Sequence, residues 1–338
     1  MHWHALSPPA LSARLARGAR AAGRRGEKRR PRTDGRRSIR EAAGDSDSEE
    51  EGGGGMDLDR ELAKLIGLDP IKQQLRDLRD SILLDRQRSE LYGIDVGPTH
   101  APHMLFMGNP GVGKTMVARL LGRLLASIGV VRSGHLVEAT REDLVGQHIG
   151  STAIKTAKVI DAARGGVLFV DEAYQLTPGL RGGGGGSGGS GKDFGLEALE
   201  TMMNVLNDHD PVFVFAGYPA EMRAFEGANA GLMRRIGSRF EFPDYSPLEI
   251  ASVFVRFKAP PFELEPRLGV ESIAEMIAAL TTSGQRAKYN AGLAERLFVD
   301  GKNALTRRVA AGADRSRAAL MTFICDDLVE ALRRIPPA

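Results

Sequence analysis

The sequence predicts an α/β fold, a doubly wound parallel sheet followed by a small helical lid domain and preceded by a disordered arm. Three observations predict it. Four short apolar runs (Met104 to Met107, Leu136–Val137, Val167 to Val170 and Val212 to Ala216) are separated by stretches with helical periodicity. Strands that alternate with helices form a parallel sheet covered on both faces. The first run leads through a glycine-rich turn into a helix with apolar residues at Val117, Leu120, Leu121, Leu124, Leu125 and Ile128, the spacing of an amphipathic helix. After Pro243 the pattern becomes mostly helical, with stretches near 246–258, 270–281, 286–298 and 302–332.

Taken in order, residues 1–55 read as a disordered arm. Residues 1–40 hold twelve Lys and Arg against two acids, Glu27 and Asp34, and show no apolar periodicity. Such a stretch cannot bury a core. Its acid-poor, Arg-rich composition suits either an organelle transit peptide or a disordered basic arm. An acidic run, Asp45 to Glu51, and Gly52 to Gly55 close it. Order begins near Met56. Leu58, Leu62, Leu65 and Ile66 fall at helical spacing, Pro70 marks a first helical turn, and Ile71, Leu75 and Leu78 carry the stripe to Leu83. The α/β domain is expected over 56–245, interrupted by a flexible Gly-rich insertion at 179–191, and the helical lid over 246–338.

Composition excludes several classes. The whole 338-residue chain carries +3, but outside residues 1–40 there are 34 basic residues against 41 acidic ones, and with the six acids of 41–55 set aside, residues 56–338 hold 34 basic and 35 acidic. The part expected to fold therefore carries no cationic excess, which disfavours a nucleic-acid-binding core. The sequence contains no apolar run near the ~18 residues of a membrane-spanning helix, so no membrane partner is expected. One cysteine, Cys325, excludes a disulfide framework and a cysteine-based zinc site. Cys325 is expected in a C-terminal helix.

Gly108, Asn109, Pro110, Gly111, Val112, Gly113, Lys114 and Thr115 satisfy G-x-x-x-x-G-K-[ST] between the first strand and its helix, which Met116 continues. The glycines let backbone N–H groups turn inward on phosphate oxygens. Lys114 would pair with the β- and γ-phosphates of ATP, and Thr115 would offer its hydroxyl to Mg²⁺. The third run, Val167 to Val170, ends in Asp171 and Glu172, 57 positions beyond Lys114. In a phosphate-loop fold this strand is expected beside the loop, with Asp171 on the metal and Glu172 polarising the attacking water. The second acid favours hydrolysis over transfer to a small substrate. The chain has no Asn-Lys-x-Asp guanine reader. Its Thr282-Ser-Gly-Gln-Arg286 stretch lies after the acid pair, unlike a transporter signature.

With these motifs on the page, the chain resembles AAA+ ATPases of the CbbX/CfxQ type, the family of red-type Rubisco activases and stage V sporulation protein K. The resemblance rests on Gly108 to Arg123, Asp143 to Thr152, Gly165 to Tyr174, Asp193 to Leu199, Phe215 to Tyr218 and Phe242 to Tyr245. It covers about 60–338, and Thr282 to Leu332 looks closest to the eukaryotic branch often fused to ankyrin repeats. The resemblance implies ATP hydrolysis in a homo-oligomeric ring, a hexamer, acting on a protein client. It places an arginine finger at Arg235, with Arg239 second, working in the neighbouring subunit's site. It places a nucleotide-contacting lid arginine at Arg308, with Arg307 next, and Lys302 stands where the family often has arginine. His148 occupies the pore-loop position where the family usually has Tyr or Phe, and histidine buries less apolar surface against a threaded peptide. The strand ending Ala216-Gly-Tyr218 departs from the Asn or Thr that many AAA+ chains carry there, and Tyr218 is a candidate for that role. Two other readings remain open: a slow-hydrolysing ATP-dependent assembly switch, and a nucleic-acid-stimulated ATPase using the basic arm. The expected location is soluble and intracellular, in the plastid if 1–40 is a transit peptide.

Overall fold

The computed structural model describes residues 56–93, 103–148, 150–177 and 194–337. The expectations for the arm and for 179–191 lie outside the described residues. Two helices come first, α1 (Leu58–Lys64) and α2 (Asp69–Tyr92), with Pro70 in the first turn of the second. The α/β part follows as β1 (His103–Met107), α3 (Lys114–Ser127), β2 (Leu136–Ala139), α4 (Arg141–Leu144), α5 (Ser151–Ala163), β3 (Val167–Val170), a 3₁₀ turn (Ala173–Leu176), α6 (Phe194–Val205), β4 (Val212–Gly217), α7 (Pro219–Ala228), α8 (Ala230–Met233) and β5 (Ile236–Glu241).

All pairings in the main sheet are parallel, in the order β2-β3-β4-β1-β5. β1, β3 and β4 are buried at every position, as strands covered on both faces must be. Alternate residues feed opposite cores. Met104, Phe106, Val167, Phe169 and Val214 face α1, α2 and α3. Leu105, Leu168, Phe213 and Phe215 face α5, α6 and α7. β5 escapes a reading by apolar runs because only Ile236 and Phe240 of its six residues are buried. It is an edge strand, paired to β1 alone.

The order corrects the expected placement of β3 beside the phosphate loop. β4 lies between β1 and β3, so the loop and the acid pair are one strand apart.

The C-terminal part comprises α9 (Pro247–Val253) running into a π turn (Phe254–Lys258), β6 (Glu263–Leu264), α10 (Val270–Leu280), α11 (Ser283–Tyr289), α12 (Ala291–Ala311), α13 (Arg317–Met321), β7 (Thr322–Phe323) and α14 (Cys325–Arg333). Ser246 starts α9 with a capping box closed by Glu249, and Thr282 starts α11 with one closed by Gln285. Cys325 opens the last helix, as expected. The expected stretches 286–298 and 302–332 are divided differently: one helix runs through 291–311, and the next breaks come at Gly312 and at the short β6–β7 pair. Leu293, Leu297, Leu305, Phe323 and Leu328 are continuous with the core that contains Phe106 and Phe169. The lid therefore shares apolar packing with one face of the sheet. No helix among the described residues is long and apolar enough to cross a membrane.

Candidate nucleotide site

The loop after β1 takes its shape from its glycines. Gly111 (φ +72°) and Gly113 (φ +92°) lie in the left-handed region, open to glycine at little cost. Gly108 is required by space: a Cβ there would lie 2.7 Å from the Cβ of Phe242 and 2.9 Å from Val112 Cγ2. Val112 is fully buried and anchors the loop, and Asn109 Nδ2 donates to Asp244 Oδ1 at 2.8 Å. These three residues shape the loop. Pro110, Gly111, Gly113, Lys114, Thr115 and Met116 line a cavity of about 370 Å³ together with Asp171, Glu172, Gly217 and Tyr218. The structure thus brings together the loop lysine, the helix-opening threonine and both acids.

Lys114 donates from Nζ to the carbonyls of Gly108 (2.7 Å) and Asn109 (3.0 Å). Burial pulls its pKa below the ordinary lysine value, and the negative charges of Asp171 and Glu172 oppose that shift. Asp171 continues β3. Its N–H donates to Ala139 O, and its Oδ1 accepts from Glu172 N at 3.0 Å. Glu172 has φ +49°, a strained conformation for a non-glycine residue. Its carboxylate accepts from Gln175 Nε2. Tyr174 and Tyr218 flank it with ring centroids 5.9 Å apart. Burial and then the Glu172 charge raise both phenols, Tyr174 to about 12. Neutral hydroxyls facing a carboxylate can donate to it. Lys114 Nζ lies 5.9 Å from the Tyr218 ring. Tyr218 reaches the site because it directly follows β4, the intervening strand.

The donor set fits a nucleoside triphosphate with Mg²⁺. The N–H groups of the first turn of α3, whose residues Lys114, Thr115 and Met116 line the cavity, suit phosphate. One hydroxyl and one carboxylate, Thr115 and Asp171, suit a hard cation that takes its remaining ligands from water and phosphate.

Arg235 and Arg239 are not in the cavity lining. Arg235 Nε donates to Asn207 Oδ1 (2.9 Å) and its Nη1 to Gly231 O (2.8 Å), while Arg239 pairs with Glu226. The exposed His148 sits in a loop closed by Ser151 Oγ, which donates to His148 O at 2.6 Å.

The lid arginine expectation needs correction. Arg308 pairs with Asp327 at 2.9 Å and donates to Thr322 O, wholly within the lid, and Arg307 pairs with Glu330. The point of α12 that touches the phosphate loop is its first residue, Ala291, whose N–H donates to Gly111 O at 3.2 Å. Arg308 is seventeen residues further along the same helix, about 25 Å at 1.5 Å per residue. Sequence reasoning also missed Asn290, Asp244 and Gln175. Asn290 fell inside the expected helical stretch 286–298, where nothing local set it apart.

The chain matches the profile of the "ATPase family associated with various cellular activities (AAA)" over 104–244, and that of a domain of unknown function (DUF8495) over 255–336. It is 35% identical to stage V sporulation protein K of Bacillus subtilis over 80% of this chain and 82% of that protein. The chain belongs to the AAA ATPase family. Further relatives include a chloroplastic ribulose bisphosphate carboxylase/oxygenase activase of Cyanidioschyzon merolae, at 44% identity over 57% of this chain and 61% of that protein. Protein CbbX of Cereibacter sphaeroides is 43% identical over 61% and 64%. The matched region therefore spans somewhat under two thirds of these two relatives. Among solved structures, the FIGL-1 AAA domain in complex with ADP aligns with a TM-score of 0.55 over 85% of this chain and 86% of that one. At 17% identity that likeness is one of fold. The chain is thus an AAA-family ATPase related to CbbX and to the chloroplastic activase.

Proposed function

We propose that this AAA ATPase hydrolyses ATP with Mg²⁺ in a head-to-tail ring of six copies and uses the cycle to remodel a protein client. The observation that carries the reading is the convergence of Lys114, Thr115, Asp171 and Glu172 on one cavity at the carboxyl ends of the strands. Lys114 and the loop N–H groups hold the phosphates. Thr115 and Asp171 hold the cation, which supplies charge neutralisation at the phosphate. Glu172 orients and polarises water, with Gln175 and the two phenols fixing its carboxylate. Arg235, outside its own cavity, serves the neighbouring copy by stabilising charge that develops on the transferred phosphoryl group. Chloroplastic and CbbX-type relatives support a Rubisco-like client and a plastid location, and Thr282 to Leu332 supports the eukaryotic branch often fused to ankyrin repeats.

A second reading, a slowly hydrolysing assembly switch, is favoured by His148 at the pore-loop position, which gives less apolar grip on a threaded peptide. Single-turnover phosphate release separates them. Glu172→Gln should retain ATP and slow hydrolysis by about 10²-fold or more. Rings mixed from Arg235→Ala and Lys114→Ala chains should regain activity above the average of the separate rings, because the intact Lys114 of one copy and the intact Arg235 of its neighbour complete a shared site. An unchanged rate in Glu172→Gln removes the water-activating role, and activity independent of ring composition removes the trans arginine.

A further inference from the structure

We propose that Asn290 registers the helical lid on the phosphate loop, so that ATP affinity and ADP release are set through this one side-chain amide. The inference rests on the nucleotide-binding reading above and adds a positioning residue to it.

Asn290 occupies the break between α11 and α12. It is completely buried and has φ +46° and ψ −122°, a conformation that side-chain-bearing residues rarely adopt. Every side-chain bond it makes ties the lid together or joins it to another segment. Oδ1 accepts from Tyr245 N–H at 2.8 Å. Nδ2 faces Pro110 O at 3.1 Å, Asp244 Oδ1 at 3.0 Å and Ala287 O at 2.8 Å. The orientation is fixed by the partners: a backbone N–H requires the oxygen, and three oxygens require the nitrogen. Pro110 belongs to the phosphate loop, Asp244 and Tyr245 to the connection from β5 into α9, and Ala287 to the lid itself.

Two neighbouring contacts make the junction close. Ala291 N–H donates to Gly111 O, and a Cβ on Gly111 would lie 2.5 Å from Tyr289 O. The glycine that shapes the loop also admits the lid backbone. Asp244 is shared: its Oδ1 also accepts from Asn109 Nδ2. One amide therefore bonds the loop, the connection and the lid. A buried polar group has no solvent to turn to when a partner leaves. Rotation of the lid must break these bonds together, so loop shape and lid angle change as a unit. Neither arginine expected to carry this coupling, Arg308 or Arg307, reaches the loop.

The test uses the full chain and three variants. Asn290→Gly accepts the backbone conformation and deletes the amide. Asn290→Asp keeps the shape but sets a carboxylate against three oxygens. Asn290→Asp combined with Asp244→Asn returns a donor to one of them. ATP KM, kcat and the release rate of fluorescently labelled ADP are measured beside the ligand-free thermal midpoint. We expect KM and ADP release to rise about ten-fold in both single variants, with kcat at saturation within about two-fold, and partial recovery in the double variant. Wild-type ADP release in a folded Asn290→Gly or Asn290→Asp chain overturns the proposal, as does a KM that tracks the thermal midpoint without recovery. If the Asn290 variants do not fold, Asp244→Ala decides. It alters an exposed residue of the same network and should speed ADP release several-fold, and an unchanged rate overturns the proposal. A wild-type chain that fails to bind ATP would refute the nucleotide reading itself, whereas ATP-binding wild type with unaffected variants refutes only the role of Asn290.

Discussion

Acid should weaken this fold through one buried imidazole. His103 opens β1 with no exposed surface. Its Nδ1 accepts from Phe213 N–H at 3.1 Å, so the ring proton sits on Nε2, which faces Leu206 O at 2.6 Å. Burial drives its pKa down from 6.5 to about 4; the Leu206 carbonyl opposes the shift and His209, with ring centroids 5.7 Å apart, adds to it. The unfolded chain therefore takes up this proton near pH 6.5 and the folded chain only near pH 4. Between those values the unfolded state binds more protons, so stability falls as pH falls. The drop from 6.5 to about 4 corresponds to ~3.4 kcal/mol in all, of which about 2 kcal/mol is lost between pH 7 and pH 5. His103→Gln keeps one donor and one acceptor on the ring's two partners and does not titrate. Urea unfolding at both pH values should show wild type losing about 2 kcal/mol more than the variant on acidification. Parallel pH dependences for the two proteins would refute the argument. ATP affinity at pH 7.5 should not change, because His103 lies at the amino end of β1 and the phosphate loop at the other.

Arg308→Ala strands Asp327, whose side chain is only 3% exposed. The lid should lose about 2 kcal/mol or more by denaturant titration, while ATP KM measured well below the midpoint stays at the wild-type value. A large rise in KM without a stability loss would restore Arg308 to the nucleotide. Tyr218→Phe removes a hydroxyl that lies against Glu172. It should lower kcat by about ten-fold, the scale of one lost hydrogen bond to a charged group, and leave ATP KM within two-fold. Steady-state kinetics reads both.

What the sequence disclosed and what it hid divide along physical lines. β1, β3 and β4 were legible because full burial leaves continuous apolar runs, and the loop was legible because its glycines answer to φ and to space at Gly108, Gly111 and Gly113. β5 was hidden because an edge strand needs only Ile236 and Phe240 inside. The lid helices were displaced because the decisive breaks, Asn290 and Gly312, are single residues in otherwise helical sequence, and Asn290 breaks the helix by tertiary hydrogen bonds that no local pattern encodes. Arg308 was misplaced for a related reason. A basic residue at helical spacing looks alike whether it points at a phosphate or at Asp327, and only the docking of the first turn of α12 on Gly111 settles the distance.

The intervening strand explains why the cavity stays open. Neighbouring strands are about 4.8 Å apart, so β1 and β3, separated by β4, lie roughly 9.6 Å apart. An ion pair between Lys114 and the acids needs a far shorter distance, and Lys114 instead donates to the Gly108 and Asn109 carbonyls. Lys114, Asp171 and Glu172 line the same cavity, with room between the strands for phosphate groups and a cation. β4 fills its floor with Gly217, where a Cβ would lie 2.8 Å from both Met222 Sδ and Tyr174 Cδ1. A side chain at 217 would push Tyr174 away from Glu172 or intrude on the gap. The strand order thus does what no single motif does: it holds opposite charges apart at a distance that a metal-bound phosphate can bridge, and it delivers Tyr218 to the boundary between them.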